Sequence, residues 1–536
     1  MKNRRFTVLG LIGVISFVSG AWLVQDDQQR ELAEKRRLFQ QILSFVSEHY
    51  VDSINPSDLY DMAIDGMLRQ LDDPYTSFLQ TEPFEELTIS TTGEYGGVGL
   101  RIDLRDGWVT VVAPLADTPA ERAGLEAGDQ LVEVEGKSTR GWDTQQTANV
   151  LRGEPGTETS ITVVRAGFAD SLHFRLTRAQ IHVNSVEGST LVAPEIGYLR
   201  LNTVSAESAL ELRRAISELR DNGANSLILD LRGNPGGVLE QGVALADLFL
   251  DPGDVVVETR GRAQDASRTY AAEHAEMWPD MPMVVLVNER TASAAEIVSG
   301  SLQDHDRAVI LGTPTFGKGV AYLFVRLSDT EGITVTTSRW FTPSGRSIQR
   351  TGPPMSQAEL MADASGTPAE EPDSVSSMTF RTEGGRVIKT GNGGIQPDIL
   401  VRDTLTTPEQ DFATALGSEI PAYRNTLTRY ALDLKGNGTI SDPNFTVTDA
   451  MLTEILSRLR QHEGLESLSD EAFHGAKSLI SEQFGHELTR YVFGREAELR
   501  RMILDDLQAR QAVELLRSAE TPDALIARAT AMAREN

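Results

Sequence analysis

The sequence predicts an α/β chain of several domains, and three observations predict it. Two apolar runs, residues 227–231 and 284–287, read as buried strands, and each feeds a short turn and then a helical pattern. Residues 93–177 break into short alternating strands punctuated by glycine. Apolar positions at helical spacing fill both ends of the chain. At 536 residues the length corresponds to three or four domains.

Composition narrows the function. There are 78 acidic against 50 basic residues, a net charge of −28, which argues against a nucleic-acid groove. There is no cysteine, so disulfides, thiolate metal sites and cysteine nucleophiles are excluded. The eight histidines show no ligand spacing, so no metal and no cofactor is expected. Lys2, Arg4 and Arg5 precede an uncharged run at 6–24. That pattern is an export signal long enough to span a bilayer, with its basic flank held in the cytoplasm. It predicts a periplasmic or other extracytoplasmic protein. Two readings stay open: an uncleaved anchor in the inner membrane, or a signal cleaved near Val18-Ser19-Gly20-Ala21.

The elements follow in order. In residues 28–49, Leu38, Ile42, Phe45 and Val46 form a helical stripe. Asn55-Pro56-Ser57 starts a second helix with Leu59, Met62, Ala63, Met67 and Leu71 on one side. Strands are expected at 100–103, 108–112 and 159–165, with helices at 120–123 and 144–151. The next unit has strands at 196–201 and 227–231, with a helix at 208–220 between them. Residues 353–372, rich in Pro, Ser, Ala, Glu and Asp, read as a linker or mobile insertion. From 406 to the end the chain reads as helix, with Met451, Leu452, Ile455, Leu456 and Leu459 as an apolar stripe.

The chemistry concentrates in residues 284–322. Ser293 opens a helix straight after a strand and a turn, where backbone N–H groups point past it. Lys318, flanked by Gly317 and Gly319, follows 25 residues later. A serine beside a lysine held as its neutral amine is a nucleophile and general base that need no histidine. Alone, either residue is a helix cap or a surface charge.

TASAAEI, FGKG, LRGNPGG and GGIQPD together resemble the carboxy-terminal processing proteases, the tail-specific S41 serine peptidases that carry a PDZ domain. The resemblance covers about residues 50–401. It implies a crotonase/ClpP-like α/β protease core at 178–403 with an inserted PDZ domain at 93–177. An N-terminal helical region at 26–92 follows the signal or anchor at 1–25, and an all-helical extension occupies 404–536. The resemblance implies Ser293 as nucleophile and Lys318 as base. It implies oxyanion donors from Gly236 or Gly237 and from the N–H of Ala294. In the PDZ unit, Gly97, Val98, Gly99 and Leu100 would hold a peptide carboxylate, with Val98 and Leu100 flanking an apolar pocket. The implied substrates are proteins with apolar carboxy-terminal tails. A lipoprotein or adaptor, a second copy of the chain and the inner membrane are the other partners expected.

One position departs from the family. Four residues after the lysine, where these proteases carry an orienting glutamine, stands Tyr322. A phenol can hydrogen-bond an amine, so Tyr322 is a candidate orienting residue or a core side chain. Asp304 and Glu296 read as structural. Two other classes stay open: a catalytically silent PDZ scaffold, and a crotonase-like lyase or hydratase sharing the strand–glycine turn–helix device.

Overall fold

The computed structural model describes residues 29–350, 378–462 and 464–535. The expected export segment at 6–24 and linker at 353–372 lie outside them. No helix among the described residues is long and apolar enough to cross a membrane. The chain forms two units, one running to Phe84 and including Tyr322–Thr336, the other holding Glu85–Ala321 and Thr337 onward.

In the first unit, residues 29–49 are helical. A second helix, Pro56–Arg69, is capped by Asn55, whose side chain accepts the Ser57 N–H. The strand Ser77–Gln80 pairs antiparallel with Glu331–Thr334. The helices form as expected, but their apolar sides are not covered. Phe45 is 64% exposed and Met67 60%, and only Leu59 and Leu68 of the second helix are buried. A helical stripe shows that a face seeks cover; among the described residues these two faces stay largely exposed.

The second unit begins within the helix Glu82–Thr92, after which comes a ribbon in which Glu94–Gly97 pairs with Ala179–His182. Between these strands lies a small domain. Its sheet runs Leu100–Arg105, Trp108–Pro114, Gln130–Val134, Glu158–Val164, Leu172–Thr177, with Pro119–Ala123 and Thr144–Leu151 as helices. The last strand was not expected from the sequence. Leu172, Phe174 and Leu176 alternate toward the domain core while His173, Arg175 and Thr177 face outward, a period-2 signal carried by only three apolar residues.

The main sheet has six strands: Val186–Ala193, Ile196–Leu201, Ser226–Asp230, Met283–Val287, Val309–Gly312 and Ile399–Leu400. All neighbours after the first pair are parallel. Its side chains alternate between two cores. Leu227, Leu229, Val285, Val287 and Ile310 face the helices Ser208–Asp221, Leu239–Asp247 and Ala294–Asp304. Ile228, Val284, Leu286, Val309 and Leu311 join Ala509, Ala512, Leu515 and Leu516 of the helix Leu507–Arg517. Parallel strands buried on both faces explain the continuous apolar runs. The C-terminal extension therefore supplies the sheet's second layer.

The rest of the extension, Thr407–Leu416 to Lys477–Phe493, packs around Phe412, Phe473 and Phe484. It leans on the small domain. Leu432 lies where a side chain on Gly128 would go, and Lys435 donates to Ala127 O. Residues 482–518, rich in charge, span parts of three helices, Lys477–Phe493, Arg495–Asp505 and Leu507–Arg517. The run breaks at Gly494, whose φ of 89° an L-residue resists, and at Asp506, which caps the next helix.

Asp304 is structural, as expected. It pairs with Arg346 at 2.6 Å, and both side chains are 1% exposed. Asp304→Ala should cost about 3–5 kcal/mol in urea unfolding because it strands a buried guanidinium. Replacing both partners by apolar residues should be far milder. Equal losses would show that the pair itself does not carry the effect.

Candidate active site

Two turns at the carboxyl ends of neighbouring parallel strands build the site, the place where open parallel sheets leave a crevice. After Met283–Val287, Asn288 accepts the Arg290 N–H and also the Gly233 N–H from the adjacent turn. Thr291 donates its hydroxyl to Leu231 O at 2.9 Å. Ala292 donates its N–H to Asn234 O. The two turns are thus stitched together before Ser293 is reached.

Ser293 then takes φ 55° and ψ −119°, a conformation few L-residues adopt and one that costs about 1–3 kcal/mol. It lifts the side chain off the strand before the helix Ala294–Asp304 begins, as a nucleophile elbow does.

Gly236 lies against it. A Cβ on Gly236 would stand 2.8 Å from Ser293 Cβ and 2.7 Å from Ala294 N. Only glycine lets the two turns close to this distance. Its own N–H donates to Asn234 Oδ1 at 2.8 Å, so that amide is already committed. Of the two glycines expected to serve as a donor, Gly237 keeps an amide with no partner among the described residues. Its backbone bridges Val204, whose carbonyl oxygen a Cβ would meet at 2.0 Å.

Lys318 is half-buried in the loop after Val309–Gly312. The GGI run underlies that loop. Thr315 donates its N–H to Ile395 O, and Ile395 donates its N–H to Thr315 Oγ1 at 2.6 Å. Trp340 Nε1 donates to Lys318 O.

Glu296 joins the two loops. Its Oε2 accepts the N–H of Ser293 at 2.8 Å and the N–H of Lys318 at 2.9 Å. Its Oε1 accepts the Gly317 N–H at 2.7 Å and the Thr315 hydroxyl at 2.5 Å. The backbones of the two residues expected to react are therefore one oxygen atom apart. Burial pushes the Glu296 carboxyl up to about 7, against four donors that favour the anion. A structural role for Glu296 was expected, but not that it would bond both loops. A Ser followed three residues later by Glu is a capping-box signal. The bonds to Gly317 and Lys318 have no local sequence signature.

Tyr322 opens the portion of the strand Val320–Arg326 that belongs to the first unit. Strand alternation sets it on the face that carries Phe324, which packs on Phe84. Burial raises its phenol above the usual range.

In the small domain, Leu100–Arg105 is an edge strand, able to accept an added strand. Gly99 holds φ 80°, and a Cβ there would strike Thr118. Leu100 is half-buried. Val98 differs from expectation: it is 2% exposed and sits in the domain core, and its carbonyl accepts the Ala120 N–H of the helix Pro119–Ala123. Away from these sites, His182, Glu207 and Glu211 bring their ligand atoms within 4.8 Å of one another. Glu211 is held there by the Ser185 N–H.

The family model for peptidase family S41 matches residues 195–354, a PDZ domain model matches 110–165, and a model for the activating protease CtpB N-terminal domain matches 19–83. A carboxy-terminal-processing protease of Bartonella bacilliformis is 34% identical over 351 residues, covering 65% of this chain and 80% of that protein. A carboxyl-terminal-processing protease of Synechocystis is 35% identical over 377 residues, covering 66% of this chain and 86% of that protein. Among solved structures, a photosystem II D1 C-terminal processing protease shares 29% identity, over 70% of this chain and 90% of that one, at a TM-score of 0.35. With its S41 core, its PDZ domain and relatives matched over most of their length, the chain belongs to the carboxy-terminal processing proteases, serine-type peptidases of family S41.

Proposed function

We propose that this peptidase cuts extracytoplasmic proteins near their carboxy termini with Ser293 and Lys318 as its catalytic pair. The observation that carries the reading is the shared Glu296 oxygen, which brings the Ser293 and Lys318 backbones together. Ser293 Oγ attacks the scissile carbonyl while the neutral Lys318 amine takes its proton. The N–H groups of Gly237 and Ala294 receive the oxyanion. Lys318 then returns the proton to the leaving amine, and water releases the acyl-enzyme. Tyr322, four residues after Lys318 and bearing a phenol that can hydrogen-bond an amine, is the proposed orienting residue.

The substrate's last residues add as a strand along Leu100–Arg105, with the carboxylate on the amides of the Gly97–Leu100 turn. Apolar, unfolded tails suit this mode. The exposed faces of the first unit suit a second copy of the chain. The segment at 6–24 would hold the protein at the outer side of the inner membrane.

Digestion of casein and of a peptide with an apolar tail tests the reading. Wild type should cleave both, and Ser293→Ala should cleave neither while melting at the same temperature or slightly higher. Undiminished cleavage by the Ser293→Ala protein would remove the nucleophile from the mechanism.

A further inference from the structure

The turn that carries Gly237 begins at Arg232, and Arg232 is held from two sides. On the sheet side, its Nε and Nη2 donate to the two oxygens of Asp230, at 2.9 and 2.6 Å. Asp230 is fully buried at the end of its strand and also accepts the Tyr198 hydroxyl. On the other side, Nη1 donates to Asp506 Oδ2 at 2.6 Å and to Gln508 Oε1 at 2.9 Å. Those two residues stand at the start of the helix Leu507–Arg517 in the C-terminal extension.

Both are themselves fixed. The second oxygen of Asp506 caps that helix by accepting the Ala509 N–H at 2.7 Å. The Gln508 amide nitrogen donates to Val401 O at 2.7 Å, just past the sheet's last strand. Gln508 thus has its amide orientation set by a carbonyl at one end and a guanidinium at the other. A planar guanidinium with donors engaged on two fronts has little freedom to swing. From Arg232 the constraint runs on through short bonds. Gly233 donates to Asn288, and Asn234 accepts from Gly236 and from Ala292.

We propose that Asp506 and Gln508 are positioning residues for the peptidase reaction, holding the oxyanion turn in place through Arg232. The proposal rests on the Ser293–Lys318 reading above. It gives the extension a role in turnover besides covering the sheet. Preorganised donors matter because an oxyanion hole displaced by about 1 Å can lose roughly 100-fold in rate.

The test compares the full-length wild type with D506N, Q508A and the double variant. Asn at 506 keeps a good helix cap but removes the anion facing Arg232. Each protein is assayed for kcat and KM on the tailed peptide, for the rate of fluorophosphonate labelling of Ser293, and for Tm. A fourth variant, L516A, loosens the same helix without touching Arg232. For the double variant, kcat should fall about 10- to 100-fold with KM within about twofold, and labelling should slow in parallel. L516A should lower Tm yet keep kcat, and D506E should recover part of the loss in D506N. A double variant that stays folded with unchanged kcat overturns the proposal. So does L516A if its kcat drops in step with its Tm, since the extension would then act through stability alone. Wild type with no Ser293-dependent cleavage would overturn the peptidase reading as well, a result distinct from either.

Discussion

Replacing Lys318 with alanine is expected to reduce cleavage to the level of Ser293→Ala, a loss of about 10⁴–10⁶ in kcat, without lowering Tm. Stability should survive because the loop is held by the backbone at this position. The Lys318 N–H goes to Glu296, and its carbonyl accepts from Trp340. Alanine keeps both bonds. Lys318→Arg is the sharper comparison. It preserves the positive charge, but a guanidinium does not give up its proton in a protein. If lysine acts as a base, arginine fails as badly as alanine. If the cation merely stabilised charge, arginine would retain substantial activity, and the proton-transfer role would have to be abandoned. Peptide hydrolysis and thermal melts on the three proteins decide it.

Glu296 should give the second large effect, and its pH dependence should run in opposite directions for stability and rate. The folded-state carboxyl is raised from an ordinary 4.5 to about 7 by burial. The native protein therefore holds that proton more tightly than the unfolded chain does. The resulting stability is fully present below about pH 4.5 and is lost as pH rises through about 7. Relative to Glu296→Gln, wild type should lose up to roughly 3 kcal/mol across that window, measured by urea unfolding at a series of pH values. Activity should rise over the same interval. Four donors converge on this carboxylate, and a carboxyl that keeps its own proton cannot accept from all of them. Glu296→Gln presents an amide N–H₂ to those donors and should lose at least about 100-fold in kcat. A variant with wild-type kcat would show that the bridge between the loops does not matter to turnover.

Much of this was legible in the sequence, and the limits have physical causes. The strand Ile196–Leu201 and the helix Thr144–Leu151 occur where periodicity places them. The serine and lysine turns were legible because strand, turn and helix signals are local. Glu296 shows where locality ends. Its capping-box spacing to Ser293 can be read, but its bonds to Thr315, Gly317 and Lys318 cross about 20 residues of chain and require the parallel pairing of two strands. Gly236 and Gly237 are alike in sequence, and only the position of the Asn234 side chain separates their amides. Apolar stripes showed that faces of the extension are buried, not that one of them would face Ile228, Val284 and Leu311.

That last packing has a consequence for the order of synthesis. The helices Leu507–Arg517 and Pro522–Glu535 are made only after every strand they cover. Until they arrive, every second residue of four central strands has no apolar partner. At ordinary elongation rates, the interval between the last strand, Ile399–Leu400, and these helices is on the order of ten seconds. During that time the nascent protease offers a sticky, half-clad sheet to its surroundings. Holding factors that bind unfolded chains would be needed for this peptidase chiefly then, and a ribosome stalled near residue 500 would release a product prone to clump.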